Sequence, residues 1–117
     1  MGSAGEAAAL TFVGSTLGYH VLARDWRSRL GQADIVAEDG DTLVLFEVKT
    51  RRGTGFGLPE EAVDARKQRK LRMLMETYRA ATHRQQQPCR IDVLGLIVDE
   101  RMQVVRTEHI KDAVAGE

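Results

Sequence analysis

Three charged residues in the first half of the chain have the types and spacing needed to act on a phosphodiester. Asp34 lies in one apolar stretch, and Glu47 and Lys49 lie two residues apart in the next. Because side chains alternate along a strand, Glu47 and Lys49 emerge on the same face. The carboxylates of Asp34 and Glu47, together with a backbone carbonyl, can hold Mg²⁺ or Mn²⁺. We predict that this carbonyl is that of Val48. A lysine beside the cation can stabilise the charge that develops on a phosphate.

A predicted hairpin brings these residues together. Asp39-Gly40, between the two apolar stretches, is a strong hairpin signal. With these two residues as the loop, Asp34 faces Leu45 and Gln32 faces Glu47. Asp34 and Glu47 are then diagonal neighbours on one face, about 7–8 Å apart, and can share one cation.

The second stretch also has a plainer interpretation. Residues 43–46 are continuously apolar, as in a strand covered on both faces, and Glu47 interrupts them. A buried carboxylate is costly unless it is paired or coordinated. The alternative is therefore an ion pair between Glu47 and Lys49 at the solvated end of a strand.

Glu6 is a candidate third acidic group. The sequence predicts a helix from Ala4 to Leu17, with Ser3 as N-cap and Gly18 after its end. Glu6 falls on the apolar stripe of this helix, four residues before Leu10. Either the helix dipole favours a carboxylate in the first turn, or Glu6 points toward Asp34 and Glu47 as a further catalytic residue and metal ligand.

The remaining elements complete an α/β fold. We predict strands at Tyr19–Arg27, Ile91–Val98 and Met102–Arg106, the last at an edge, a long helix at Pro59–Thr82 and a short helix at Glu108–Val114. The order is αβββαββ. The long helix connects two parallel strands, so we expect a mixed β-sheet of about five strands flanked by helices.

Composition indicates an ordinary globular domain. The 117 residues are 43% apolar and 29% charged, with a formal net charge of zero. We expect a single domain over residues 1–117, with residues 1–3 either disordered or not part of the natural protein. A single cysteine excludes an intramolecular disulfide. No apolar run has the length of a membrane span and no signal peptide is evident, so we expect a cytoplasmic location and no membrane association.

Basic residues cluster at two places although the net charge is zero. A neutral protein with local basic strips can bind a polyanion. The alternative is that the strips are ordinary solvated faces. The candidate nucleic-acid-binding residues are Arg51, Arg52, Arg66, Lys67, Arg69 and Lys70.

An ordered set of motifs over residues 5–98 resembles one protein family. In chain order the motifs are Gly5-Glu6, Gly18-Tyr19, Arg27, Gly31-Gln32-Ala33-Asp34, Phe46-Glu47-Val48-Lys49-Thr50-Arg51, Phe56-Gly57, Glu61-Ala62-Val63, Lys67, Lys70-Leu71, Tyr78 and Arg90-Ile91-Asp92-Val93. Together they resemble the YraN-like, or UPF0102, family of the restriction-endonuclease-like nuclease superfamily, which is similar in its core to archaeal Holliday-junction resolvases.

The resemblance implies a restriction-endonuclease-like core and an active-site set of Glu6, Asp34, Glu47 and Lys49. The chain departs from the family at Gln32, where the family usually has Glu. The expected result is weakened or altered metal binding, with Gln32 left as a neighbour of the site.

Three functions remain open at this point. The first is a Mg²⁺-dependent DNA endonuclease that hydrolyses phosphodiester bonds and prefers branched or single-stranded DNA. The second is a nucleic-acid-binding module that cuts slowly or not at all. The third is a partner-binding protein with an idle acidic cluster. The sequence leaves the oligomeric state open between monomer and homodimer.

Overall fold

A five-stranded mixed sheet organises the computed structural model, which describes residues 3–53 and 63–114. The strands lie side by side in chain order, and only β3 and β4 run parallel. The strands are β1 His20–Ser28, β2 Gly31–Asp39, β3 Thr42–Arg52, β4 Cys89–Val98 and β5 Val104–Ile110. The helices are α1 Ser3–Thr11, which continues as a π-helical segment at Phe12–Thr16, and α2 Ala65–Ala81. The predicted αβββαββ order, the parallel crossover and the edge position of the last strand are confirmed.

Each helix covers one face of the sheet. The α1 face consists of Ala9, Val13, Ile35, Ala37, Val44, Phe46, Leu94 and Leu96. The α2 face includes Val36, Leu43, Leu45, Leu71, Leu74, Met75, Tyr78, Ile91 and Val93. Successive residues of β3 alternate between the two clusters and are fully buried, so the predicted two-faced burial of residues 43–46 is confirmed. Neither described helix is long and apolar enough to cross a bilayer.

The predicted starts of two helices and the predicted third helix need correction. Helix α1 begins at Ser3, so Ser3 is not its N-cap. Helix α2 begins at Ala65, because Asp64 is extended and its side chain accepts a hydrogen bond from the Lys67 backbone N–H, as an N-cap does. The predicted start at Pro59 lies outside the described residues. The predicted helix at 108–114 is wrong, because residues 108–110 pair with β4 as the end of β5.

The predicted hairpin register is also wrong. Asp39 pairs with Thr42, so the two-residue loop is Gly40-Asp41. Gly40 has φ +60° and occupies the first loop position, where primed turns require positive φ. Leu45 therefore pairs with Val36 and not with Asp34. The partner changes by two residues, which keeps the predicted faces of β3.

Candidate active site

The candidate site lies where β2 separates from β3. The last pair between the two strands is Ile35 with Phe46, and Asp34 is the next residue of β2 toward its start. The Asp34 carboxylate accepts a hydrogen bond from the backbone N–H of Val48 at 2.8 Å. A side-chain oxygen thus satisfies a backbone donor that separating strands would otherwise leave without a strand partner.

The alternation of side chains along β2 breaks at Asp34. Ile35 packs on the α1 face, whereas Ala33 packs on the α2 face, although residues two apart share a face in a regular strand. On β1, Asp25 has a left-handed φ of 51°, which is uncommon outside glycine. Trp26, which follows Asp25, pairs with Ala33, so the two irregular segments lie side by side.

The surroundings of Asp34 disfavour its charged form. Burial raises the pKa of Asp34, and the negative charges of Glu47 and Asp25 raise it further. The Val48 hydrogen bond and the positive charge of Lys67 lower this pKa and only partly offset the rise. A cation that binds beside such a carboxylate stabilises its charged form.

Glu47 is a buried carboxylate with two ammonium partners. Its residue surface is 5% exposed, and its Oε2 atom lies 3.3 Å from Lys49 Nζ and 3.3 Å from Lys67 Nζ. The ion pair that the sequence suggested between Glu47 and Lys49 is present. It does not lie at a solvated strand end, because Glu47 is buried, and a buried charge of this kind needs its partners.

Lys67 reaches Glu47 from the first turn of α2. Helix N-termini carry partial positive charge, so a lysine there is disfavoured unless another group compensates. The sequence grouped Lys67 with the candidate nucleic-acid-binding residues. The structure directs its ammonium to Glu47.

Two further acidic residues, Asp25 and Glu6, lie near Asp34. Gln32 Nε2 donates a hydrogen bond to Asp25 Oδ1 at 2.9 Å, and a carboxyl hydrogen bond with Asp25 raises the pKa of Glu6. Glu6 lies on α1, on the sheet face opposite α2, and its link to the site is this contact with Asp25. The predicted position of Gln32 opposite Glu47 is wrong, because the β2–β3 register is shifted by two residues and the ladder ends at Ile35 with Phe46.

Asp25 is the site residue that sequence reasoning missed. The only signal was a carboxylate in the middle of a predicted strand. Trp26, the next residue, packs edge-to-face against Tyr78 with ring centroids 5.0 Å apart, as part of the α2-face cluster.

The other predicted basic residues lie on the two elements that flank Glu47. Arg66, Arg69 and Lys70 are exposed on the N-terminal half of α2, and Arg51 and Arg52 are exposed at the end of β3. Arg52 donates to the Met102 sulfur at 3.3 Å.

The donor atoms fit Mg²⁺ or Mn²⁺. In residues 3–53 and 63–114, no group of three or more His, Cys, Asp or Glu side chains is arranged to hold a metal ion. Asp34 and Glu47 nevertheless provide two hard oxygen donors, and Mg²⁺ typically retains waters and uses only one or two carboxylates. The Val48 carbonyl stays a predicted third ligand.

Comparison with known proteins assigns the family. Residues 5–96 match the family model described as "Uncharacterised protein family UPF0102". The chain belongs to the UPF0102 family. This confirms the resemblance carried by the sequence motifs.

Curated UPF0102 relatives match nearly the whole chain. A UPF0102 protein of Rhodococcus opacus is 39% identical over 113 residues, which are 97% of this chain and 94% of the relative. One of Symbiobacterium thermophilum is 48% identical over 94 residues, which are 80% of this chain and 79% of the relative. One of Geotalea daltonii is 42% identical over 113 residues, 97% and 87% of the two chains.

Two solved structures have a similar architecture. A repair endonuclease from Pyrococcus abyssi matches with a TM-score of 0.47 and 18% identity, over 85% of this chain and 38% of that chain. An EndoMS–dsDNA2 complex matches with a TM-score of 0.43 and 23% identity, over 80% and 34% of the chains. The UPF0102 chain thus spans little more than a third of each solved chain. These similarities concern the fold and carry no inference about activity.

A buried charged cluster on the α1 face of this UPF0102 protein serves a different purpose. Asp92 is fully buried and accepts hydrogen bonds from Arg90 at 3.0 and 3.2 Å and from the Asp112 backbone N–H at 2.9 Å. His109 Nε2 lies 2.8 Å from Asp92, and Arg90 also binds Asp39 and Tyr19. These bonds fasten β5 and the segment after it to β4, so we assign this cluster to folding.

Proposed function

We propose that this protein is a divalent-cation-dependent endonuclease that hydrolyses phosphodiester bonds in DNA. One observation carries the proposal: buried Glu47 is bound by Lys49 on the same strand, immediately beside the half-buried carboxylate of Asp34. A fold gains no stability from placing two carboxylates side by side, because each raises the cost of ionising the other. The arrangement is useful when a cation and an anionic substrate meet there.

The residues have separable roles in this proposal. Asp34 and Glu47 hold Mg²⁺ or Mn²⁺, with the Val48 carbonyl as a further ligand. Such a cation supplies Lewis-acid stabilisation of phosphate oxygens and lowers the pKa of bound water. Lys49 places its ammonium beside the scissile phosphate and stabilises the charge that develops on it. Glu6 and Asp25 keep negative charge near Asp34, which favours cation binding.

The exposed cations on α2 and at the end of β3 are proposed to bind the DNA backbone. Contacts with phosphates are independent of sequence and position the duplex. Selectivity for branched DNA is the finer part of the proposal, and its support is the resemblance in core between the UPF0102 family and archaeal Holliday-junction resolvases.

Gln32 supports a second candidate, a DNA-binding protein that cuts slowly. The side chain donates to Asp25, at a position where family members usually supply a carboxylate. Gln32→Glu would then increase the cleavage rate. A rate that does not change on this substitution would remove the support for the second candidate.

Cleavage assays test the proposal. Branched, flapped, single-stranded and linear DNA are incubated with Mg²⁺ or Mn²⁺ and with wild-type protein or Asp34→Asn, and Mn²⁺ binding is measured by calorimetry on the same preparations. We expect wild-type protein to cut at least one substrate and bind Mn²⁺, and Asp34→Asn to lose both activities. Equal Mn²⁺ binding by the two proteins would contradict the shared cation site.

A further inference from the structure

Glu47 has two lysine partners, one more than is needed to neutralise its single negative charge. Lys49 and Lys67 both lie 3.3 Å from the same oxygen, Glu47 Oε2. Asp34 also interacts with the positive charge of Lys67. A divalent cation bound to Asp34 and Glu47 would place further positive charge beside both ammonium groups. Repulsion between like charges then favours the departure of one lysine.

Lys67 is the lysine that can leave at the lower cost. Its side chain is 36% exposed, whereas that of Lys49 is 24% exposed, so its ammonium is closer to solvent. It is the third residue of α2, where the helix dipole disfavours positive charge once Glu47 no longer compensates it. Its stem is flexible, and a lysine ammonium binds phosphate as a point charge.

Exposed arginines near Lys67 on α2 indicate the direction in which its ammonium can move. Arg66 and Arg69 are exposed on either side of Lys67 in the sequence of α2. A DNA phosphate held by these arginines would lie beside the helix N-terminus, a position that favours anions. Lys67 is thus placed between Glu47 on one side and the phosphate-binding strip on the other.

We propose that Lys67 is a positioning residue that exchanges between Glu47 and a DNA phosphate. This inference rests on the proposed function. In the cation-free protein Lys67 neutralises Glu47; a divalent cation at Asp34 and Glu47 displaces it, and the released ammonium binds DNA. Cation binding and DNA binding then strengthen each other, as a coupling between two sites requires.

The test compares Lys67→Met with Arg69→Met, a matched removal of one cation from the same helix. Mn²⁺ binding without DNA is measured by calorimetry. We expect Lys67→Met to bind Mn²⁺ about two- to fivefold more tightly than wild type, the effect of removing one competing ion pair of modest strength. Arg69→Met should bind Mn²⁺ as wild type does, because Arg69 is exposed.

DNA affinity is then measured with EDTA and with Ca²⁺, which takes the same oxygen ligands, and intact DNA is verified on a gel. Without cation, Lys67→Met should bind DNA as wild type does, because Lys67 is engaged by Glu47. With Ca²⁺ it should bind more weakly, and the salt slope should fall by about 0.9 on duplex DNA. Arg69→Met should weaken binding equally under both conditions.

Two outcomes would overturn the inference while leaving the proposed function intact. One is unchanged Mn²⁺ affinity in Lys67→Met, and the other is an equal loss of DNA affinity with and without Ca²⁺. Wild-type protein that binds no Mn²⁺ would overturn both. Circular dichroism establishes folding of each variant, and Lys67→Gln, which also lacks the charge, must reproduce the Lys67→Met pattern.

Discussion

Asp34 binds the backbone N–H of Val48 through its carboxylate at 2.8 Å, at the point where the β2–β3 ladder has ended. The main chain of β3 thus holds the carboxylate, one residue away from both Glu47 and Lys49. Any change at Asp34 that keeps an acceptor oxygen should preserve this bond and the separation of the strands. Asparagine does so and removes the charge, which makes Asp34→Asn the informative substitution.

Asp34→Asn should be more stable than wild type at neutral pH. Burial raises the pKa of Asp34 in the folded protein, so the folded protein binds a proton at Asp34 more tightly than the unfolded chain does. The stability that the protonated form contributes is lost as pH rises through the folded pKa. We expect a higher melting temperature for Asp34→Asn than for wild type at pH 7.5 in EDTA. Below the ordinary aspartate pKa of about 3.9 the difference should disappear, because both side chains are then neutral.

Thermal unfolding followed by circular dichroism at several pH values checks this prediction. Saturating Mn²⁺ should reverse the order at neutral pH, because only wild type gains stability from the bound cation. If Asp34→Asn is less stable than wild type in EDTA at pH 7.5, Asp34 has a structural role and its charge is not a functional cost.

DNA binding should depend steeply on salt through the exposed strip. Each phosphate contact contributes about 0.9 to the log–log slope on duplex DNA, so Arg66→Ala should lower the slope by about that amount and weaken binding to all sequences equally. Lys111→Ala removes an exposed cation that follows β5 and serves as control. Fluorescence anisotropy over a salt series gives the slopes. Identical slopes for Arg66→Ala and wild type would exclude this strip from the interface.

The Asp92 cluster should affect stability and leave cation binding unchanged. Asp92→Asn leaves the guanidinium of Arg90 without its buried partner, and breaking such a pair costs about 3–5 kcal/mol. Glu76→Gln, which removes the charge of the exposed partner in the Glu76–Arg79 pair, should cost at most about 1 kcal/mol. Urea unfolding gives both values. A loss below 1 kcal/mol for Asp92→Asn would show that the cluster does not fasten β5.

Periodicity predicted the fold because each element has a strong local signal. The apolar run at residues 43–46 indicated a covered strand, and the described structure buries it on both faces. The predicted end of the long helix at Thr82 is one residue past the last residue of α2. Elements with period-two or helical patterns are specified locally, so the αβββαββ order could be derived before any contact was known.

The details of the site depend on long-range geometry that spacing does not encode. The hairpin loop lies one residue later than predicted, because Gly40, and not Asp39, takes the first loop position. The left-handed backbone of Asp25 lies inside β1 and has no glycine to signal it. The pairing of Glu47 with Lys67 joins residues 20 positions apart in sequence, which required the packing of α2 on β3.

The most direct measurement of the central claim is the single-turnover cleavage rate of Lys49→Ala, with melting temperature and DNA affinity determined on the same preparation. Lys49 pairs with Glu47 at 3.3 Å, and its ammonium is proposed to act mainly in the transition state. We predict a folded protein that binds DNA and Mn²⁺ as wild type does and cleaves roughly 10²-fold more slowly or worse, the scale for losing one preorganised charge-stabilising donor. If Lys49 only pairs with Glu47, the variant will lose stability and cleave in proportion to its folded fraction. A wild-type rate in folded Lys49→Ala would contradict the proposed nuclease site.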